Sequence, residues 1–126
     1  MKLRLNANSI RLRLGMSEVD ALVREGRVAE RVDFGPDAAA LIYELRTADD
    51  PNYSAAFGEG GISIFVPRSA VVEWAAGDEL SLGGSQAARG GAELAILIEK
   101  DLACRTREKD RDNADAFPHP PNHPDC

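Results

Sequence analysis

Ile10-Arg11-Leu12-Arg13-Leu14-Gly15-Met16-Ser17-Glu18-Val19-Asp20-Ala21-Leu22 returns further along the chain as Ile62-Ser63-Ile64-Phe65-Val66-Pro67-Arg68-Ser69-Ala70-Val71-Val72-Glu73-Trp74. Ile10 matches Ile62, Leu12 matches Ile64 and Leu14 matches Val66, all at an offset of 52, and Ser17, Val19 and Leu22 find Ser69, Val71 and Trp74 at the same offset. Apolar residues alternate at first and then change to helical spacing, which reads as a strand running into a short helix with one buried stripe. Ser17 stands where a helix N-cap is expected, with Glu18 and Asp20 in the first turn, and Gly26 ends the segment. The second helix, roughly 69–76, ends at Gly77.

Upstream, Leu3 and Leu5 alternate with Lys2 and Arg4, so 2–14 reads as a hairpin turning at Asn6-Ala7-Asn8, with one apolar and one polar face. Two strands follow the first helix, 27–34 and 39–46, joined by Gly35-Pro36-Asp37, and Asp49-Asp50-Pro51-Asn52 is a turn. In the second half a strand starts at Leu80 and Leu82 and stops at Gly83-Gly84. Beyond Gly90-Gly91, Leu94, Ile96 and Ile98 match Leu41, Tyr43 and Leu45 at an offset of 53. The predicted architecture is an α+β fold of two pseudo-repeated β-α-β-β units, about 1–46 and 53–103. One unit cannot cover its own apolar face, so the two pack into a compact β-rich core. Residues 104–126 form an extended tail.

At 126 residues a single domain is expected. The apolar share is 44%, with 6% aromatic residues, and the net charge of −6 argues against general binding to nucleic acid or anionic membranes. No apolar run approaches the ~20 residues of a membrane helix. The N-terminus carries no hydrophobic signal core. Cytoplasm is the expected compartment.

Two groups of residues carry chemistry. Lys2, Arg4, Arg11 and Arg13 share the polar face of the opening hairpin, where four cations on adjacent strands repel one another unless something negative covers them. Arginine suits carboxylate and phosphate oxygens through its planar fork, so an anionic ligand or protein partner is one reading. A solvated edge that resists aggregation is another, and the acidic tail folded back onto the face is a third. The second group lies in that tail. Cys104, His119, His123 and Cys126 are all the cysteines and histidines of the chain, and two thiolates with two imidazoles would fill a tetrahedral zinc or copper shell. The competing readings are a solvated end, since Pro118, Pro120, Pro121 and Pro124 break regular structure, and a disulfide between Cys104 and Cys126. Catalytic signals are few. There is no phosphate-binding loop, no histidine lies before the tail to act as general base, and Glu44, Asp49 and Glu73 are isolated carboxylates.

Within the second unit, Ile64-Phe65-Val66-Pro67, a short helix, then Gly77-Asp78-Glu79-Leu80-Ser81-Leu82 resembles the swapped-hairpin half-barrel of a family of transcription regulators. That resemblance implies DNA binding, and the first unit departs from it with Gly15 in place of the proline and no Gly-Asp pair. Asn8-Ser9-Ile10-Arg11-Leu12-Arg13-Leu14, Glu99-Lys100-Asp101-Leu102-Ala103-Cys104 and Phe117-Pro118-His119-Pro120 together resemble a family of small uncharacterised bacterial proteins. This second resemblance spans nearly the whole chain and implies a cytoplasmic bacterial protein. The expected function is a non-catalytic binding or adaptor protein that uses the basic hairpin. The alternatives are a small metal-handling protein and a swapped-hairpin DNA-binding regulator.

Overall fold

A computed structural model describes residues 1–103 and 114–122. The chain runs β1 (Lys2–Asn6), β2 (Ser9–Leu14), α1 (Met16–Glu25), β3 (Arg27–Val32), β4 (Leu41–Ala48), β5 (Ser54–Gly58), β6 (Gly61–Pro67), α2 (Arg68–Ala76), β7 (Ser81–Ala87) and β8 (Glu93–Lys100), with a 3-10 turn at Arg89–Gly91. The fold is α+β, built from two similar units of hairpin, helix and hairpin.

The units are joined by exchange of strands. One sheet has the order β1-β2-β8-β7 and the other β3-β4-β6-β5, so the opening hairpin of each half pairs with the closing hairpin of the other. At the two joins the strands run parallel, with Leu12 opposite Ile98 and Leu45 opposite Ile64. These registers reproduce both sequence offsets: Leu12 and Ile64 are equivalent, as are Leu45 and Ile98. Neither half has a complete sheet alone, because the central pairing of each sheet is supplied by the other half.

The core is correspondingly two-fold. Leu12 and Ile64, Leu14 and Val66, and Leu45 and Ile98 are all fully buried, and the helices add Val19 and Val71, Leu22 and Trp74. Each large buried aliphatic side chain contributes about 2 kcal/mol by leaving water. The β5–β6 hairpin turns at Glu59-Gly60, both at positive φ (47° and 85°), as a two-residue type I′ connection demands. Ala7, the position equivalent to Glu59, also lies at positive φ, 48°.

Three local expectations change. The sequence pattern does not predict β5, and β7 continues through Gly83 and Gly84 to Ala87. The glycines serve close approach instead: a Cβ on Gly83 would lie 2.6 Å from the Ile96 carbonyl oxygen, and one on Gly84 2.5 Å from the Tyr53 ring. The serines are not N-caps either. Gly15 and Pro67 occupy those positions, placing Ser17 and Ser69 inside their helices.

The cap of α1 arrives from far along the chain. The Asp115 carboxylate accepts from the Ser17 amide at 3.2 Å and from the Ser17 hydroxyl, while the Asp115 carbonyl accepts from the Met16 amide at 2.9 Å. Glu18 reaches back to the Gly15 amide at 3.0 Å. Beside this cap, Phe117 forms a parallel bridge with Leu102, its amide donating to Asp101 and its carbonyl accepting from Ala103, both at 2.7 Å. Residues 115–117 therefore dock on the body, and Ala116 is buried.

Candidate functional site

The outer face of the first sheet follows from the alternation in β1 and β2. With Leu3, Leu5, Ile10, Leu12 and Leu14 on one side of these strands, Lys2, Arg4, Arg11 and Arg13 must occupy the other. The register sets Lys2 opposite Arg13 and Arg4 opposite Arg11, so the four cations form a two-by-two array. The structure brings all four predicted residues together.

It also supplies negative charge that sequence reasoning missed. β8 lies on the far side of β2, with Glu99 opposite Arg13. Its carboxylate spans two arginines, at 2.6 Å from Arg11 Nη2 and 3.2 Å from Arg13 Nε. Lys2 Nζ lies 2.9 Å from Asp101 Oδ2. Arg4 is exposed and, among the described residues, has no ion pair. Four cations thus face two carboxylates, and the array keeps an excess of positive charge on a chain whose net charge is −6. The Lys2–Asp101 and Arg13–Glu99 pairs are exposed, and pairs of that kind add only about 0–1 kcal/mol each to stability. Their effect here is positional: Glu99 holds two guanidinium groups in fixed orientation. Among the described residues, Arg11 Nε is buried without a hydrogen-bond partner.

The second sheet carries a different arrangement on its outer face. Glu44 receives hydrogen bonds from Arg27 Nε at 2.7 Å and the Ser63 hydroxyl at 3.1 Å, with Arg46 at 3.7 Å. Burial works against ionisation of Glu44, but the Arg27 and Ser63 hydrogen bonds and the nearby arginine charges outweigh it and hold the carboxyl below its usual range. One carboxylate here lies between two arginines, so the cluster keeps a single positive charge. The Arg68–Asp49 pair, at 3.2 Å, is balanced, and lies in an open cleft of about 420 Å³ beside the start of α2.

A buried lysine is the second feature missed. Lys100 is 8% exposed, the buried charged residue of the described core. Its Nζ donates to the Gly77 carbonyl at 2.8 Å and lies 5.7 Å from the Trp74 ring centroid and 5.4 Å from that of Phe117. One carbonyl and two aromatic faces take the place of water around the ammonium. The alternation through Leu94, Ile96 and Ile98 continues to Lys100 and was the available signal that its side chain points inward.

Of the four predicted metal ligands, Cys104, His123 and Cys126 lie outside the described residues. His119 is described, with Nδ1 3.1 Å from the Pro120 carbonyl oxygen. Among the described residues no group of three or more histidine, cysteine or acidic side chains is arranged to hold a metal ion. None of the described helices is long and apolar enough to cross a membrane.

Residues 1–121 match the model of a family of unknown function, DUF7009. The match includes both halves and the docked Asp115–Phe117 segment. No curated protein and no solved structure shows a significant match. The chain belongs to this family of unknown function.

Proposed function

We propose that this family member is a non-catalytic binding protein of the bacterial cytoplasm, holding an anionic segment of a protein partner on the outer face of β1 and β2. The observation that supports this reading is Arg4. It sits directly across from Arg11 in the register, is exposed, and has no carboxylate beside it among the described residues, whereas Lys2, Arg11 and Arg13 are already paired. Like charges opposite one another are unfavourable in a sheet. An incoming carboxylate over Arg4 relieves that repulsion and meets guanidinium groups already oriented by Glu99, which lowers the ordering cost of binding.

The negative net charge elsewhere favours one orientation of approach and disfavours nonspecific polyanion binding. The test is fluorescence anisotropy with a labelled hexaglutamate peptide. Binding is expected to weaken with added salt and to fall on the order of tenfold in Arg4→Glu, since a charge is reversed beside the incoming carboxylates. Equal affinity of wild type and Arg4→Glu would falsify the reading.

A further inference from the structure

The two halves differ at their sheet edges. Among the described residues β1 pairs with β2 alone, and β5 with β6 alone. These edges are equivalent, because Leu3 stands opposite Leu12 as Ala55 stands opposite Ile64. The β5 edge is closed by a side chain. The Gln86 carboxamide oxygen accepts from the Ala55 amide at 2.8 Å and its nitrogen donates to the Ala55 carbonyl at 2.9 Å. That amide takes the place of a peptide group on a neighbouring strand.

The position equivalent to Gln86 is Val32, since Gln86 pairs with Leu94 and Val32 with Leu41 in matching registers. Valine offers neither a donor nor an acceptor. Leu3 presents its amide and carbonyl on the same side as Ala55 does. Among the described residues, no hydrogen bond outside the β1–β2 ladder reaches the main chain of Leu3, Arg4 or Leu5. The strand is exposed except at Leu3, and Leu5 is 59% exposed.

We propose that β1 accepts an extended peptide as an added strand, and that this peptide alternates acidic and apolar residues. The inference rests on the anionic-partner reading above and adds main-chain recognition to it. An added strand keeps the pleat of its neighbour. Its outward side chains would therefore lie beside Lys2 and Arg4, where carboxylates pair favourably, and its inward side chains beside Leu3 and Leu5. Main-chain hydrogen bonds to the open edge give affinity, and the alternation gives specificity. Charge excludes a second copy of this chain as the occupant, because edge-to-edge pairing of β1 would bring two Lys2–Arg4 rows together.

The probe is a labelled eight-residue peptide alternating glutamate and valine. Its control has the same composition in two blocks, four glutamates followed by four valines. The alternating peptide is expected to bind wild type at least tenfold more tightly than the block peptide. It should also slow amide exchange at Leu3 by tenfold or more. Val32→Gln, which copies the closure made by Gln86, should reduce binding by a similar factor. The Leu3 exchange measurement on wild type decides the matter by itself if that variant does not fold. Equal binding of the two peptides with unchanged exchange at Leu3 overturns strand addition and leaves the anionic reading intact. Failure of both acidic peptides to bind overturns both. A wild-type dimer that Val32→Gln abolishes would assign the edge to a second copy and overturn the proposal.

Discussion

Replacing Gln86 with methionine keeps the length of the side chain and removes both of its hydrogen bonds to Ala55. Each bond is short, 2.8 and 2.9 Å, and half-buried. A net contribution of ~1 kcal/mol per bond gives about 2 kcal/mol for the pair. With a urea dependence of ~2 kcal/mol per molar for a chain of this size, the unfolding midpoint should fall by about 1 M. The same loss has a local signature. If Ala55 exchanges through opening of the β5–β7 contact, its amide should lose protection by roughly thirty-fold, because ~1.4 kcal/mol corresponds to a factor of ten. Amides in β2 and β8 that exchange through global unfolding should lose protection by the same factor, and those that exchange through local openings away from β5 should not change. Unaltered protection at Ala55 with an unaltered midpoint would refute the claim that Gln86 closes this edge, and with it the contrast drawn with Val32.

Asp115→Ala should cost about 1 kcal/mol through loss of the α1 cap, seen as a lower urea midpoint, and Asp115→Asn should cost less because an amide oxygen still accepts from Ser17. Glu44 ionises more readily in the folded state than in the unfolded state, so its contribution is complete above the ordinary glutamate value and is lost as pH falls through the lower folded value. Urea midpoints measured down that acid range should therefore fall more steeply for wild type than for Glu44→Gln, and parallel curves would contradict the cluster's role. Lys100→Met and Lys100→Ala both remove the donor to the Gly77 carbonyl; Met keeps contact with Trp74 and Phe117 and should cost about 1 kcal/mol, whereas Ala also leaves a cavity and should cost about 3 kcal/mol by thermal unfolding.

What could be read from the sequence was the part governed by local periodicity. The alternation through Leu12 and Leu14, the stripe of Val19 and Leu22, and their copies 52 residues later placed most of the buried side chains in advance. β5 escaped because Ser54-Ala55-Ala56 has little apolar contrast, although its turn repeats the backbone conformation of Ala7. Periodicity states which face of a strand is buried and is silent on which strand lies beside it. Periodicity therefore gave no sign of the exchange that puts β8 against β2, nor of the pairing of Glu99 with Arg11 and Arg13. The cap of α1 was hidden for the same reason: its acceptor, Asp115, lies 98 residues from Ser17, so Ser17 itself looked like the cap. The basic array was legible because all four residues lie in one hairpin, and its excess of charge follows from the structure alone.

Chemical-shift mapping of backbone amides with unlabelled hexaglutamate tests the binding face most directly. Shifts should concentrate at Lys2–Asn6, Arg11, Arg13 and Glu99, and shrink together as salt is raised. Shifts centred instead on Arg27, Arg46 or the start of α2, or the absence of any saturable shift at low salt, would contradict the assignment of β1 and β2 as the anionic-partner surface.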